Sequence, residues 1–241
     1  MMLLNGNCKP GVHPFHSEGT DKEELFQKNL KEQPMDWEWR DIQVSYTLNS
    51  QGYRCPEWSD CNWSDSVLIF GCSYVFGEGI SDDHTVAFKL SKLLQTPVIN
   101  LGACGSSPMF QWCNSIRVCE NNINPKLVIY IWPGKTRSLE FISDVCVNHS
   151  GLWEFKGNIG YYWSKSIHHG SVVLDYFSKS VSSMWECPVL EYTIDQQNDG
   201  MTSLPVLDQA RDLNNGISHP GRKSNTKWAE IIYNNISLRN I

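Results

Sequence analysis

A serine hydroxyl is a weak nucleophile and attacks a carbonyl only when a neighbouring base takes its proton. The segment Gly71-Cys72-Ser73-Tyr74-Val75-Phe76-Gly77-Glu78-Gly79 offers such a serine directly after an apolar run at 67–70. A serine just past the end of a buried strand, flanked by glycine, sits on a tight turn that lifts its hydroxyl above the sheet edge. The backbone N–H groups of that turn face the same space and can bind an oxyanion. The competing reading is an ordinary strand-to-helix turn with a capping serine.

Two further segments carry chemistry of the same kind. Asn100-Leu101-Gly102-Ala103-Cys104-Gly105-Ser106-Ser107 follows a second apolar run, and a glycine such as Gly105 lets the backbone approach a ligand and present its N–H. Ala210-Arg211-Asp212-Leu213-Asn214-Asn215-Gly216-Ile217-Ser218-His219-Pro220-Gly221 precedes the last amphipathic stretch. A histidine held by a Pro-Gly turn at a helix entrance can serve as a fixed base, and Asp212 is the nearest carboxylate in sequence to orient its ring. Each segment alone reads as a turn. Their order, after one strand, after the next and before the last helix, favours a site.

These segments resemble the motif blocks of the SGNH (GDSL-like) hydrolase superfamily. GCSYVFGEG is similar to the first block, usually a G-D-S stretch, and its G-C-S form resembles a branch common in phage and environmental sequences. NLGACGSS resembles the second block and DLNNGISHPG the last, usually D-x-x-H-P. The lead-in SYTLNSQGYRCPEW resembles the N-S-x-G-[FY]-R stretch that often precedes the first block. The resemblance implies a flavodoxin-like three-layer α/β/α sandwich with a central parallel sheet of about five strands. It implies Ser73 as nucleophile, His219 as general base and then acid, and the N–H groups of Ser73 and Gly105 as oxyanion donors. The implied activity is hydrolysis of a small acyl ester, an O-acetyl group on a glycan being one form. An O-acyltransferase using the same serine, or a binding module of the same fold, are the alternatives.

Two departures from the motif pattern matter. The superfamily's third block offers an asparagine as a further oxyanion donor, whereas here the third strand runs into Trp132-Pro133-Gly134-Lys135-Thr136-Arg137. Loss of one such donor costs about 3 kcal/mol of transition-state stabilisation, so Arg137 or Thr136 is a candidate substitute. Trp132, at a strand end, is a candidate substrate contact. In the last block the aspartate stands three positions before the histidine, but Gly216 occupies that place. Asp212 lies further back, and Asp208 is a second option.

The elements that must position these residues can be read from periodicity. Apolar runs at 67–70, 97–101, 127–132 and 188–194 read as buried strands. Alternation from Ile42 to Leu48 reads as a further strand. Helices are expected at 21–30, 82–94 (with Ser81, Asp82 or Asp83 as cap), 108–121, 136–147, 171–184 and 221–238, while 151–170 gives no clear pattern. Strands alternating with helices imply a parallel sheet with helices on both faces, and ligands of such sheets bind beyond the carboxyl ends of the strands. Residues 1–64 read as an N-terminal extension with a short strand or hairpin on the core, and 65–241 as the hydrolase-like domain.

Composition bounds the function class. The 241 residues carry a net charge of -6 and no long basic run, which disfavours nucleic-acid binding. The N-terminus lacks the pattern of a signal peptide, and no stretch approaches a membrane span, so a cytoplasmic protein is the expectation. The nine cysteines, an odd number without paired ligand spacing, read as reduced thiols. Cys55 with Cys61, His168 with His169, and Asp82-Asp83-His84 were each weighed as ligand sets and read as ordinary loop or capping residues, so no metal and no cofactor is expected. The oligomeric state is open.

Overall fold

The computed structural model describes residues 3–4, 8–16, 18–134, 137–142, 145–149, 159–194, 201–214, 216 and 218–241. Its elements in chain order are β1 (Gly11–His13), α1 (Glu23–Glu32), β2 (Tyr46–Leu48), β3 (Val67–Gly71), α2 (Ser73–Phe76), α3 (Val86–Leu94), β4 (Val98–Gly102) and α4 (Pro108–Glu120). There follow β5 (Leu127–Trp132), β6 (Ser138–Ile142), β7 (Val145–His149), α5 (Ile159–Met184), β8 (Val189–Thr193), β9 (Thr202–Ser203) and α6 (Arg222–Arg239).

β3 and β5 are buried at every position, which is why they read as unbroken apolar runs rather than alternations. Such strands belong in a parallel sheet covered on both faces. The sheet has five strands in the order β4-β3-β5-β8-β9. β3 runs parallel to β5 with Val67 opposite Leu127, β5 parallel to β8 with Val128 opposite Val189, and β8 parallel to β9 with Tyr192 opposite Thr202. This is the α/β sandwich that the strand–helix rhythm implies.

The chain divides into two compact units, neither of them one contiguous segment. The first comprises Met1–Leu4, Asn62–Cys72 and Gly105–Leu204, the second Asn5–Cys61, Ser73–Cys104 and Pro205–Ile241. In the first unit Tyr130 is the centre of an aromatic core. Its ring stacks on Phe70 and Trp132, and its hydroxyl meets Ser115 Oγ at 2.6 Å and accepts from Trp185 Nε1 at 2.9 Å. In the second unit β1 pairs antiparallel with β2. Trp39, Val44, Tyr46, Leu48, Phe76, Ile80 and Ala210 form its core.

Two expectations are corrected. Segment 136–147 does not form a helix: β6 and β7 make an antiparallel hairpin with Ile142 opposite Val145. Leu139 and Phe141, then Val145 and Val147, follow the period of two that suits a strand. The helix expected from residue 82 starts at Val86. Its cap is Thr85, whose hydroxyl accepts from Phe88 N at 3.2 Å, while Asp82–His84 forms a short 3₁₀ turn. No helix among the described residues is long and apolar enough to cross a membrane.

Within the second unit β4 meets α2 through Gly102. A Cβ there would stand 2.4 Å from the backbone nitrogen of Phe76 and 2.8 Å from the carbonyl carbon of Val75. Main chain cannot yield as a flexible side chain can, so Gly102→Ala is expected to destabilise the protein by about 2 kcal/mol. A urea-unfolding midpoint equal to that of the parent would contradict this packing.

Candidate active site

Ser73 opens α2, two residues beyond the end of β3. Its carbonyl accepts from Gly77 N at 2.9 Å and Glu78 N at 3.1 Å, which closes the turn. The chain then reverses through Gly77 and Gly79, both at positive φ. A Cβ at Gly79 would meet Ala210 Cβ at 2.8 Å, so the glycine is required by shape as well as by backbone angle. The buried Arg54 fastens this loop. Its guanidinium donates to the carbonyls of Phe76 (3.2 Å), Gly77 (2.6 Å), Ile80 (3.0 Å) and Ser45 (3.1 Å), and to Asp82 Oδ1 at 2.7 Å. A planar fork of five fixed donors suits this task, and a lysine could not reproduce it.

The histidine arrives on a second loop. Ala210 N donates to the carbonyl of His219 at 2.8 Å and Gln209 bridges Pro220, which brings His219 back beside Ala210. This return offsets the long spacing: Asp212 lies seven residues before His219, yet its Oδ2 is 2.6 Å from His219 Nδ1 and its Oδ1 accepts from His219 N at 3.2 Å. With Nδ1–H spent on the carboxylate, Nε2 is left as acceptor, and it stands 2.8 Å from Ser73 Oγ. Tyr74 packs edge-on against the imidazole at 5.4 Å and stacks on Trp228, which restrains the ring. The Ser73 residue is 5% exposed and the His219 side chain 16%, against 2% for the Asp212 side chain. Asp208, the other carboxylate considered, instead caps α6, accepting from Lys223 N and Ser224 N at 2.8 Å and from Ser224 Oγ at 2.6 Å.

Sequence reasoning missed the N-terminal contribution to this site. Thr20 Oγ1 donates to Asp212 Oδ2 at 2.5 Å, and Thr20 N to Glu78 Oε1 at 2.8 Å. Glu78 is buried and also accepts from Asp21 N at 3.0 Å, from Cys104 Sγ at 3.0 Å and from His16 Nδ1 at 2.6 Å. Asp21 in turn receives both arms of Arg211, at 3.0 and 2.6 Å, and the Tyr46 hydroxyl at 2.5 Å. No spacing rule links residues 16–21 to 78 or 212. The sequence signal available was the glutamate set between the two glycines of the serine loop.

The remaining predicted residues fall in the first unit. Trp132 is fully buried, stacks on Tyr130 and spends its indole N–H on Glu191 Oε2 at 2.7 Å, which makes it a core residue rather than a surface for substrate. Arg137 is half-buried and donates to the carbonyl of Ser106 at 3.4 Å, next to Gly105. Gly105 has φ of 72°, with open space where a side chain would stand. Thr136 and the side chains of His168 and His169 lie outside the described residues.

Among the described residues one group, His16, Glu78 and Cys104, brings metal-ligating atoms within 4.8 Å of one another. Nitrogen and oxygen ligands about 2.0–2.1 Å from a tetrahedral zinc would stand roughly 3.3 Å apart. The 2.6 Å between His16 Nδ1 and Glu78 Oε2 is instead the length of a charge-assisted hydrogen bond, and the group fits a proton-sharing network better than a metal.

No protein-family model matches the chain, and no curated protein matches it. Solved structures of similar backbone include a carbohydrate esterase family 2 enzyme with a carbohydrate-binding domain from Corynascus thermopiles (Myceliophthora fergusii). It is 8% identical, with a TM-score of 0.46, over 78% of this chain and 70% of that one. An acetyl xylan esterase from Butyrivibrio proteoclasticus is 11% identical with a TM-score of 0.46, over 74% of this chain and 65% of that enzyme. A protein from Desulfitobacterium hafniense, assigned by name to the G-D-S-L lipolytic family, is 13% identical with a TM-score of 0.39, over 71% of this chain and 99% of that one.

The His16–Glu78 pair makes stability depend on pH. Burial alone would raise the Glu78 carboxyl, but the His16 hydrogen bond and charge, helped by the charge of His219 and the Cys104 thiol, draw it down to about 2. Burial would lower His16, and its hydrogen bonds to Cys8 and Glu78 hold it up at about 10. A depressed carboxyl stabilises fully above its ordinary value of 4.5, and that stability is lost as pH falls toward about 2. A raised histidine stabilises fully below its ordinary 6.5 and loses that contribution as pH rises toward about 10. The stability gap between the protein and Glu78→Gln is therefore expected to be largest between those ordinary values and to shrink toward about pH 3. An unchanged gap in urea titrations there would contradict the pairing.

Proposed function

We propose that this chain is a serine esterase that cleaves a small acyl ester. The observation that carries the reading is the unbroken relay in the second unit: Ser73 Oγ at 2.8 Å from His219 Nε2, and His219 Nδ1 at 2.6 Å from Asp212. Nucleophile, base and orienting carboxylate within hydrogen-bond reach are the geometric signature of acyl transfer through a serine.

In this reading Ser73 Oγ attacks the ester carbonyl while its proton passes to His219 Nε2. Asp212 stays ionised and stabilises the imidazolium. In the same reading the Ser73 N–H, at the turn, stabilises the oxyanion. His219 then returns the proton to the leaving alcohol, and water, activated by the same imidazole, releases the acid from the acyl-serine. The roles of Gly105 as second oxyanion donor and Arg137 as a replacement for the third rest on the motif resemblance, as does the choice of an acetyl ester on a glycan as first substrate to try.

The wild-type protein is expected to react with a fluorophosphonate probe and to hydrolyse p-nitrophenyl acetate. Ser73→Ala and His219→Ala should each lower kcat at least about a thousandfold while leaving the unfolding curve in place. A folded wild-type protein that neither labels nor turns over would overturn the reading in favour of a binding module. Thr20 is a positioning residue for Asp212, so Thr20→Val should lower kcat about tenfold with little change in KM, and Thr20→Ser should restore it. A Thr20→Val enzyme with unaltered kcat would remove Thr20 from the relay.

A further inference from the structure

The second unit contains another nucleophile–histidine–carboxylate relay, distinct from Ser73. Cys8 Sγ lies 3.0 Å from His16 Nε2, and His16 Nδ1 lies 2.6 Å from Glu78 Oε2. The imidazole is held flat by Phe76, which stacks on it at 5.0 Å, with Tyr46 at 5.8 Å on the same ring. A second thiol completes the group: Cys104 Sγ is 3.0 Å from Glu78 Oε2 and 3.8 Å from His16 Nδ1, and it packs against the core cluster that holds Cys8. Both cysteines are thiols rather than halves of a disulfide. We infer that Cys8 and Cys104 form a redox-active dithiol, in which Cys8 is oxidised by a small hydroperoxide and Cys104 resolves the product to a disulfide.

The arrangement divides the two roles. The Cys104 thiol and the His16 imidazole beside Cys8 outweigh its burial and bring its thiol down to about 6. Burial and the Cys8 and Glu78 charges push Cys104 well above the ordinary thiol range. The imidazole beside Cys8 favours its thiolate and the carboxylate beside Cys104 favours its thiol, which suits attacking and resolving cysteines. Cys8 is 7% exposed, which restricts the oxidant to something as small as hydrogen peroxide.

The steps balance without any other reactant. The Cys8 thiolate attacks one peroxide oxygen, so an S–O bond forms and the O–O bond breaks. The departing oxygen takes a proton from the His16 imidazolium and leaves as water or alcohol. Cys104 sulfur then attacks the Cys8 sulfenic acid, so an S–S bond forms and the S–O bond breaks. The departing hydroxide takes the Cys104 proton and leaves as a second water. Two thiols are oxidised by two electrons and one hydroperoxide is reduced.

The test treats the reduced full-length protein with equimolar hydrogen peroxide, blocks remaining thiols with iodoacetamide, and maps unreduced peptides by mass spectrometry. A Cys8–Cys104 cross-linked peptide should appear before modification at Cys55, Cys61 or Cys119. Cys104→Ser should stop the reaction at a Cys8 sulfenic acid that dimedone traps, and His16→Gln should slow it about tenfold. Oxidation of Cys8 no faster than of Cys55 would overturn the inference. So would stoichiometric zinc in the purified protein that shields both thiols until it is chelated. Neither result bears on Ser73, whose labelling is read separately.

Discussion

An ionised carboxylate taken out of water must be supplied with donors or it will neutralise or force the structure open. Asp212, 3% exposed, is supplied with three: the Thr20 hydroxyl, the backbone N–H of His219 and the imidazole Nδ1–H of His219. Two of the three come from the histidine it orients. The carboxylate therefore fixes both where the His219 backbone enters and which ring nitrogen is left to face Ser73. Everything proposed for the serine follows from that arrangement, because an imidazole in the other tautomer would present a donor where an acceptor is needed.

The same logic extends outward through the second unit. The serine loop presents its carbonyls inward, and Arg54 collects three of them, from Phe76, Gly77 and Ile80, together with that of Ser45. The base loop is tied in by Arg211, which pairs with Asp21 through two contacts and donates its amide N–H to the carbonyl of Gly79. Tyr46 links the two, donating to Asp21 and accepting from Gly79 N at 2.7 Å. Breaking a buried pair of this kind by removing one partner costs about 3–5 kcal/mol, chiefly because the other charge is left stranded. Both functional loops thus depend on buried cations, and on residues 16–21, for their shape. The N-terminal region is a structural member of the site.

The fold and half of the site could be read from sequence for a definite reason. β3 and β5 are covered on both faces, so they appear as short unbroken apolar runs, and α6 shows a helical face through Trp228, Ile232 and Ile236. Ser73 and His219 stood out because glycine and proline punctuate the turns that hold them. The β6–β7 hairpin was misread because a short apolar stretch fits either period until its turn is recognised. Asp212 could be nominated only as the nearest carboxylate, since the excursion that folds it back depends on the pairing of Ala210 with His219. Thr20 and His16 were invisible, because their partners Glu78 and Asp212 lie 58 to 192 residues away and no periodicity connects them. Trp132 misled because a strand end does not ensure exposure: its side chain is fully buried and its indole N–H is taken by Glu191.

The most direct test of the account is the far-downfield proton NMR spectrum, where a histidine N–H shared with a carboxylate over a short hydrogen bond is resolved from all others. The account predicts two such resonances, one that disappears in Glu78→Gln and a second that disappears in Asp212→Asn and His219→Ala but persists in Asp208→Asn. Survival of the second resonance in Asp212→Asn, or its loss in Asp208→Asn, would contradict the claim that Asp212 orients the histidine facing Ser73.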